Sequence, residues 1–373
     1  MFKKLKIKNS DLIEQYRDFI NSLAKNDKIY ILHDIDADGI TSAVLLSKII
    51  ERTSSANISG TLTPGRSGII TDEFIQKVKS ENITTVITLD LTADVDLVQL
   101  NKLAKHAKIL IIDHHKIYHH PRSKNVLMIK PKMIFDEVNS AKFANAMFVY
   151  FLTQDLIDIS DLDWMATVGL VGDIGYDYLT DVIDEVYDKY NFERNEDYFK
   201  TTPGRIASMV YNTVTADGNV KLCYDVLMEA NSAEEVLKSK LKDKSDYIQA
   251  EIDKYVDETE KRAEFFEDVE LIFYNIDSEF NIKSAIATIL GLKFNKSTVI
   301  TYSIFEGEGI VGLSARRDDK KVKVNEILEK AIEDIPDAHA GGHAVSSGAT
   351  IPIKHFNRFK KRLFELLKKY KYN

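Results

Sequence analysis

The residues able to do chemistry in this chain gather where apolar runs end. Lys28-Ile29-Tyr30-Ile31-Leu32 empties into His33-Asp34-Ile35-Asp36-Ala37-Asp38-Gly39, and Thr85-Val86-Ile87-Thr88-Leu89 stops at Asp90. Ile109-Leu110-Ile111-Ile112 stops at Asp113-His114-His115, and the run 166–172 is followed by Asp173. If the first three runs are neighbouring parallel strands, their carboxyl ends meet at one sheet edge, where open α/β sheets hold ligands. Asp34, Asp36 and Asp38 alternate, so extended backbone would send them to one side. Carboxylates that close repel one another unless a cation lies between them. Asp90 has two oxygens and can bridge two ions roughly 3.5–4 Å apart. Consecutive His114 and His115 point to different sides, so one can take a metal while the other faces a substrate phosphate. Asp113 can orient a histidine. Gly172 and Gly175 let Asp173 approach a crowded centre. Hard carboxylates with one or two imidazoles suit Mn²⁺ or Mg²⁺, and no thiolate stands among them to favour zinc. The chemistry to expect is two-metal phosphoester hydrolysis, in which the ions draw the pKa of a shared water toward neutrality.

Positioning such groups takes a regular frame. Residues 28–115 alternate between strand and helix patterns, with helices expected over 40–52, 72–80 and 93–106. Right-handed βαβ crossovers and a parallel sheet follow. Helical patterns continue over 140–157 and 161–170. The highly charged stretch 232–267 places Leu237, Leu241, Ile248, Ile252 and Val256 mostly four apart and predicts one long amphipathic helix. Beyond it, strands are expected over 269–274, 297–305 and 310–315, with helices near 283–290 and 322–332. The fold class is therefore α/β: an N-terminal parallel-sheet domain over 1–230, a helical connector over 231–267 and a smaller α/β domain over 268–373.

Composition narrows the setting. With 373 residues, 44% hydrophobic, there is enough chain for two domains. One cysteine, Cys223, excludes an internal disulfide, and no apolar run is long enough for a membrane span. No signal peptide is apparent, so a cytoplasmic protein is expected. A net charge of −8 argues against wholesale coating of duplex DNA, yet acidic metal ligands inflate that count. Basic residues from Lys354 to Lys371 interleave with Phe356, Phe359, Leu363, Leu366, Leu367 and Tyr370 at helical spacing. This predicts a closing helix with one packed and one solvated face; the alternative is a phosphate-tracking flank. His119 and His120, beside Pro121, read as surface histidines.

The four N-terminal motifs together resemble the DHH phosphoesterase superfamily. The form Asp34-Ile35-Asp36-Ala37-Asp38-Gly39-Ile40-Thr41-Ser42 is most similar to its RecJ-type single-strand exonuclease branch. Ser314-Ala315-Arg316, and Gly341-Gly342-His343 followed by Ser347-Gly348, resemble the substrate-binding motifs of the C-terminal domain associated with that superfamily. The resemblance implies that Asp36 and Asp90, with Asp34, hold one metal, and that Asp38, Asp90, His114 and Asp173 hold a second. It implies that His115 contacts the scissile phosphate. Arg316 and His343, with Ser314 near them, would grip a phosphate from across an interdomain cleft. Backbone N–H groups of Gly341 and Gly342 would help, and a glycine pair allows an anion-binding nest. Arg66, in Leu62-Thr63-Pro64-Gly65-Arg66, and Arg205, in Thr202-Pro203-Gly204-Arg205, are candidates to line a nucleic-acid groove. Full-length bacterial RecJ enzymes carry further domains, including an oligonucleotide-binding fold, for which this chain has no room.

The activity implied is 5′-3′ hydrolysis of single-stranded DNA or RNA. The alternative is an oligonucleotide (nanoRNA) or cyclic-dinucleotide phosphodiesterase. A pyrophosphatase-type hydrolase and a non-catalytic replication scaffold stand behind these. Expected partners are a single strand or short oligonucleotide and replication or DNA repair proteins, with no membrane.

Overall fold

The computed structural model describes residues 2, 5–65, 68–319 and 321–371. The chain divides into two compact units, residues 1–245 and 246–373.

In the first unit, β1 (Lys28–His33), β2 (Asn57–Leu62), β3 (Thr85–Leu89), β4 (Lys108–Ile112) and β5 (Val126–Ile129) form a sheet in the order β2-β1-β3-β4-β5. All four pairings are parallel. Alternation along each strand sends its apolar side chains to two faces. Ile29, Ile31, Ile87, Leu89, Leu110 and Ile112 enter one core, and Tyr30, Leu32, Val86, Ile109 and Ile111 enter the other. Helices Ala37–Thr53, Asn145–Thr153 and Asp163–Gly172 fill the first side and are largely buried. Helices Asp72–Ser80 and Leu97–Leu103 cover the second. Covering both faces explains why β3 is buried at every position.

Caps move two expected boundaries. The helix expected over 40–52 begins at Ala37, because the Asp36 carboxylate accepts a hydrogen bond from Gly39 N at 2.9 Å. Asp38 and Gly39 are consequently helical rather than extended. The helix expected over 93–106 shortens to Leu97–Leu103, opened by Asp96 accepting from Val98 N and Gln99 N. The long helix expected over 232–267 is instead Ala233–Leu237, Leu241–Asp257 and Thr259–Arg262, followed by a short strand. Ser239 accepts from Leu241 N at the first break, so a local side-chain bond competes with helix continuation there.

In the second unit, β6 (Glu264–Phe266), β7 (Leu271–Asn275), β8 (Thr298–Phe305), β9 (Ile310–Arg316), β10 (His339–Gly342) and β11 (Ser346–Pro352) form a mixed sheet ordered β10-β11-β9-β8-β7-β6. β7 and β8 pair in parallel and the other neighbours antiparallel. The closing helix, Phe356–Lys371, buries Phe359, Leu363 and Leu367, while Lys360 reaches out to Glu264. That is the packed-and-solvated helix its spacing predicts. Among the described residues, no helix is long and apolar enough to cross a membrane.

Candidate metal centre

The acids and histidines that follow β1, β3 and β4 leave the carboxyl edge of the sheet, and Asp173 joins them from the end of helix Asp163–Gly172. β1 ends at His33, and the turn after it carries Asp34, whose carboxylate accepts from Ile35 N at 2.7 Å. A Cβ on Gly39 would lie 2.6 Å from Asp34 O, so glycine is needed for close approach rather than for a left-handed turn. Asp90 follows β3 in left-handed backbone, φ 58°, and its N–H donates to Ile112 O at 3.0 Å. Asp113, His114 and His115 follow β4 directly.

Asp38 joins a different ligand group from Asp34 and Asp36, that of His114 and Asp173. Its two oxygens accept from Asn145 N (2.6 Å) and Ala146 N (2.8 Å), in the first turn of Asn145–Thr153. The expectation that the three alternating aspartates point one way therefore fails: a helix starts between them. Gly169 allows this arrangement, since a Cβ there would meet Asp38 Oδ1 at 2.7 Å. Asp173 caps the same helix's end, and Ile174 beside it has φ 55°. A β-branched residue in that region is strained by about 1–3 kcal/mol, a kind of cost that concentrates at functional sites. A Cβ on Gly175 would lie 2.6 Å from Lys142 O, so the turn carrying Asp173 is packed to its limit.

Ligand atoms converge in three trios, each with all members within 4.8 Å: Asp34, Asp36 and Asp90; Asp38, His114 and Asp173; Asp90, His114 and His115. His114 Nδ1 lies 3.0 Å from Ser140 O. Donation there makes Nδ1 a proton carrier, and Nε2 lies 3.2 Å from Asp90 Oδ1. Although burial opposes it, that carboxylate raises the ring's proton affinity, so Nε2 offers a lone pair once a cation displaces its proton. His115 is turned differently. Its Nδ1 lies 2.7 Å from Asp113 Oδ1, which also accepts the His115 N–H.

The charges are unbalanced. Among the described residues, no lysine or arginine forms an ion pair with Asp34, Asp36, Asp38, Asp90 or Asp173. Burial, with repulsion from Asp36, pushes Asp34 up to about 6. Burial, with Asp38 and Asp36 nearby, pushes Asp173 up to about 8. Asp90 is raised well above the carboxylate range by burial and Asp38. Asp173 Oδ2 is buried without a hydrogen bond among the described residues. Crowded carboxylates with an orphaned oxygen and an imidazole lone pair are a donor set that fits Mn²⁺ or Mg²⁺.

Three contributors were not evident from the sequence. Lys130, 1% exposed, follows β5 and places its ammonium 2.9 Å from Asp94 Oδ1 and 2.7 Å from Asp113 Oδ2. Although burial opposes it, His115 and Lys130 hold Asp113 far below the usual carboxylate range. The Asn145 amide lies 3.1 Å from both Ser42 Oγ and Asp90 N and 3.2 Å from Ile112 O. A polar residue ending an apolar run, the signal that marks Asp90 and Asp113, also marks Lys130.

The remaining candidates belong to other elements. Arg316, at the end of β9, donates to Thr288 Oγ1, Ser284 Oγ and Ala315 O. Ser314 is buried beside it, and His343 is exposed in the hairpin joining β10 to β11. Gly341 and Gly342 belong to the β10–β11 ladder, opposite Gly348 and Ser347, and so do not form a nest. Arg205 is helical and ion-paired with Glu193 at 2.7 Å, which corrects its reading as a groove-lining loop arginine. Arg66 lies outside the described residues.

Two family models match the chain: the DHH family, N-terminal domain, over residues 28–174, and the DHHA1 domain over residues 269–369. No curated protein matches its sequence. Among solved structures, RecJ of Thermus thermophilus with Mn²⁺ is similar at 16% identity and TM-score 0.69. That match covers 98% of this chain and 55% of RecJ, so this chain spans about half the RecJ length. A DHH domain from a protein described as a member of a family of ribosomal proteins gives 14% identity and TM-score 0.71, over 99% and 94% of the two chains. PggH of Vibrio cholerae, a pGpG-specific phosphodiesterase, gives 14% and 0.53, over 92% and 99%. Identities this low speak to fold. Both family models fall on the motifs built above, in order, and the chain belongs to the DHH superfamily of phosphoesterases, with a RecJ-like fold and a DHHA1 domain in its second unit.

Proposed function

We propose that the chain is a metal-dependent phosphodiesterase that removes nucleotides from the 5′ end of single-stranded DNA or RNA. One observation carries most weight: the three ligand trios are linked to one another through Asp90 and His114. A shared carboxylate is what a bridged pair of ions requires. Mn²⁺ or Mg²⁺ bound there would acidify water and neutralise charge on the phosphoryl oxygens.

The chain's own residues supply the rest. Asp34 and Asp36 would hold one ion, Asp38, His114 and Asp173 a second, and Asp90 would contribute to both. Asp113 occupies Nδ1 of His115 and leaves Nε2 of that partly exposed ring for the scissile phosphate. Although burial opposes it, Asp113 raises the proton affinity of His115, so the ring can hold a proton for the leaving oxygen. Arg316, Ser314 and His343 are assigned to phosphate binding in the second unit. Replication or repair proteins are the partners this reading implies.

A second reading is a dinucleotide or short-oligonucleotide phosphodiesterase. The likeness to PggH, a pGpG-specific phosphodiesterase covered over 99% of its own length, supports it. The two separate on substrate length. End-labelled DNA and RNA, from dinucleotides to about forty nucleotides, are incubated with Mn²⁺ beside an Asp90→Asn control. Mononucleotides released from the 5′ end of long strands support the first reading. Cleavage confined to dinucleotides replaces it with the second, and no metal-dependent cleavage refutes both.

A further inference from the structure

Past His115 the chain runs outward over residues 116–125, Lys-Ile-Tyr-His-His-Pro-Arg-Ser-Lys-Asn. In a chain of net charge −8 this segment holds three cations, two imidazoles and a tyrosine, and no acidic residue. Lys116, Tyr118, His119, His120, Arg122 and Lys124 are all exposed, Tyr118 at 49%. Lys116 Nζ sits 5.5 Å from the centre of the Tyr118 ring.

The loop is anchored from beneath. Tyr118 N and His119 N donate to Asp94 Oδ2 at 2.7 and 3.3 Å, and Lys130 Nζ donates to Lys116 O at 2.9 Å. Asp94 is fully buried, and its other oxygen receives Lys130, which also holds Asp113. One buried lysine thus fixes both the carboxylate that orients His115 and the backbone that presents Tyr118. Three Cα steps of about 3.8 Å keep Tyr118 within roughly 11 Å of His115. An exposed ring on a backbone anchored this way loses little freedom on stacking, and any base offers a face to it. Cations without neighbouring carboxylates in the segment suit a phosphate backbone.

We propose that loop 116–124 is a strand-binding element of this enzyme, in which Tyr118 stacks on a base and Lys116, Arg122 and Lys124 follow the phosphates of a single-stranded nucleic acid. The proposal rests on the strand-degrading reading above and adds the surface that holds the strand.

The test is fluorescence anisotropy of a labelled oligo-dT of about twenty nucleotides in EDTA, where turnover stops, with the full chain, Tyr118→Ala, Tyr118→Phe and Arg122→Glu/Lys124→Glu. Tyr118→Ala is expected to weaken binding about tenfold and Tyr118→Phe, which keeps the aromatic face, by less than about twofold. The double charge reversal is expected to lower the slope of log affinity against log salt by at least about 1.4, two phosphate contacts on a single strand. Unchanged affinity in Tyr118→Ala, unchanged salt slope in the reversal, or no binding by the wild type would each overturn the proposal. Hydrolysis of bis(p-nitrophenyl) phosphate by the wild type with Mn²⁺ reports on the metal centre separately. Its failure counts against the catalytic reading, not against the loop.

Discussion

Two clusters of charge stand side by side at the carboxyl edge of the parallel sheet, one wholly buried and one open to solvent at Asp36 and partly so at Asp34 and Asp173. Behind the Asp113-His114-His115 motif, Asp94, Lys130 and Asp113 close an ion-paired network within the chain. In front of it, Asp34, Asp36, Asp38, Asp90 and Asp173 crowd together with histidine as their nearest positive group. The first cluster is complete as folded. The second lacks positive charge and can be completed only from outside. A buried pair is costly to break, whereas uncompensated carboxylates are costly to leave alone. Structural and catalytic charge are thus told apart by whether the chain supplies its own counter-ion.

The sharpest break comes at Asp90. Asparagine tolerates its left-handed backbone, so Asp90→Asn is expected to keep the fold and lower Mn²⁺-dependent phosphodiesterase turnover by at least about 1000-fold. Retained turnover would remove the bridging role. Lys130→Met acts on the other cluster and leaves Asp94 and Asp113 buried without their partner. Urea unfolding of the metal-free protein is expected to show a loss of about 3–5 kcal/mol. A loss under about 1 kcal/mol would erase the distinction between the clusters.

Acidity sharpens the contrast further. Asp173, raised to about 8, binds its proton more tightly folded than unfolded. Stability of the metal-free protein should therefore fall as pH climbs from about 4 to about 8, and Asp173→Asn should flatten that fall. Mn²⁺ must displace the proton, so its affinity should rise between about pH 6 and 8. Calorimetry in two buffers of unlike ionisation heat should show proton release. The smallest effect is at Cys223, where burial pushes the thiol up to about 12. A thiol reagent at pH 8 should leave it unlabelled until the protein is unfolded.

The metal cluster was legible because acids and imidazoles at the ends of apolar runs are conspicuous against a period of two. Where those side chains point was less legible. Asp38 follows Asp36 at strand spacing, yet the cap formed by Asp36 starts a helix between them and turns Asp38 toward Asn145. Lys130 reaches back 36 residues to Asp94, Asp94 reaches 24 residues on to Tyr118, and Asn145 lies 103 residues from Ser42. No local pattern carries such distances. β2 is an edge strand without full burial, so it lacks the apolar run that identifies β1 and β3. The two arginine tetrads look alike, yet Arg205 lies on a helix and pairs with Glu193.

Strand order has a kinetic consequence. The first trio joins residues 34 and 36 to 90, and the second joins 38 to 114 and 173, so each is assembled from segments far apart in the chain. The first waits on the pairing of β1 with β3, and the second also on β4 and helix Asp163–Gly172. Non-local pairings of this kind form slowly. Metal affinity should thus be acquired late in refolding, as one event with closure of the sheet. An ion added at the start would then leave the early phases untouched and slow only the return to the unfolded chain.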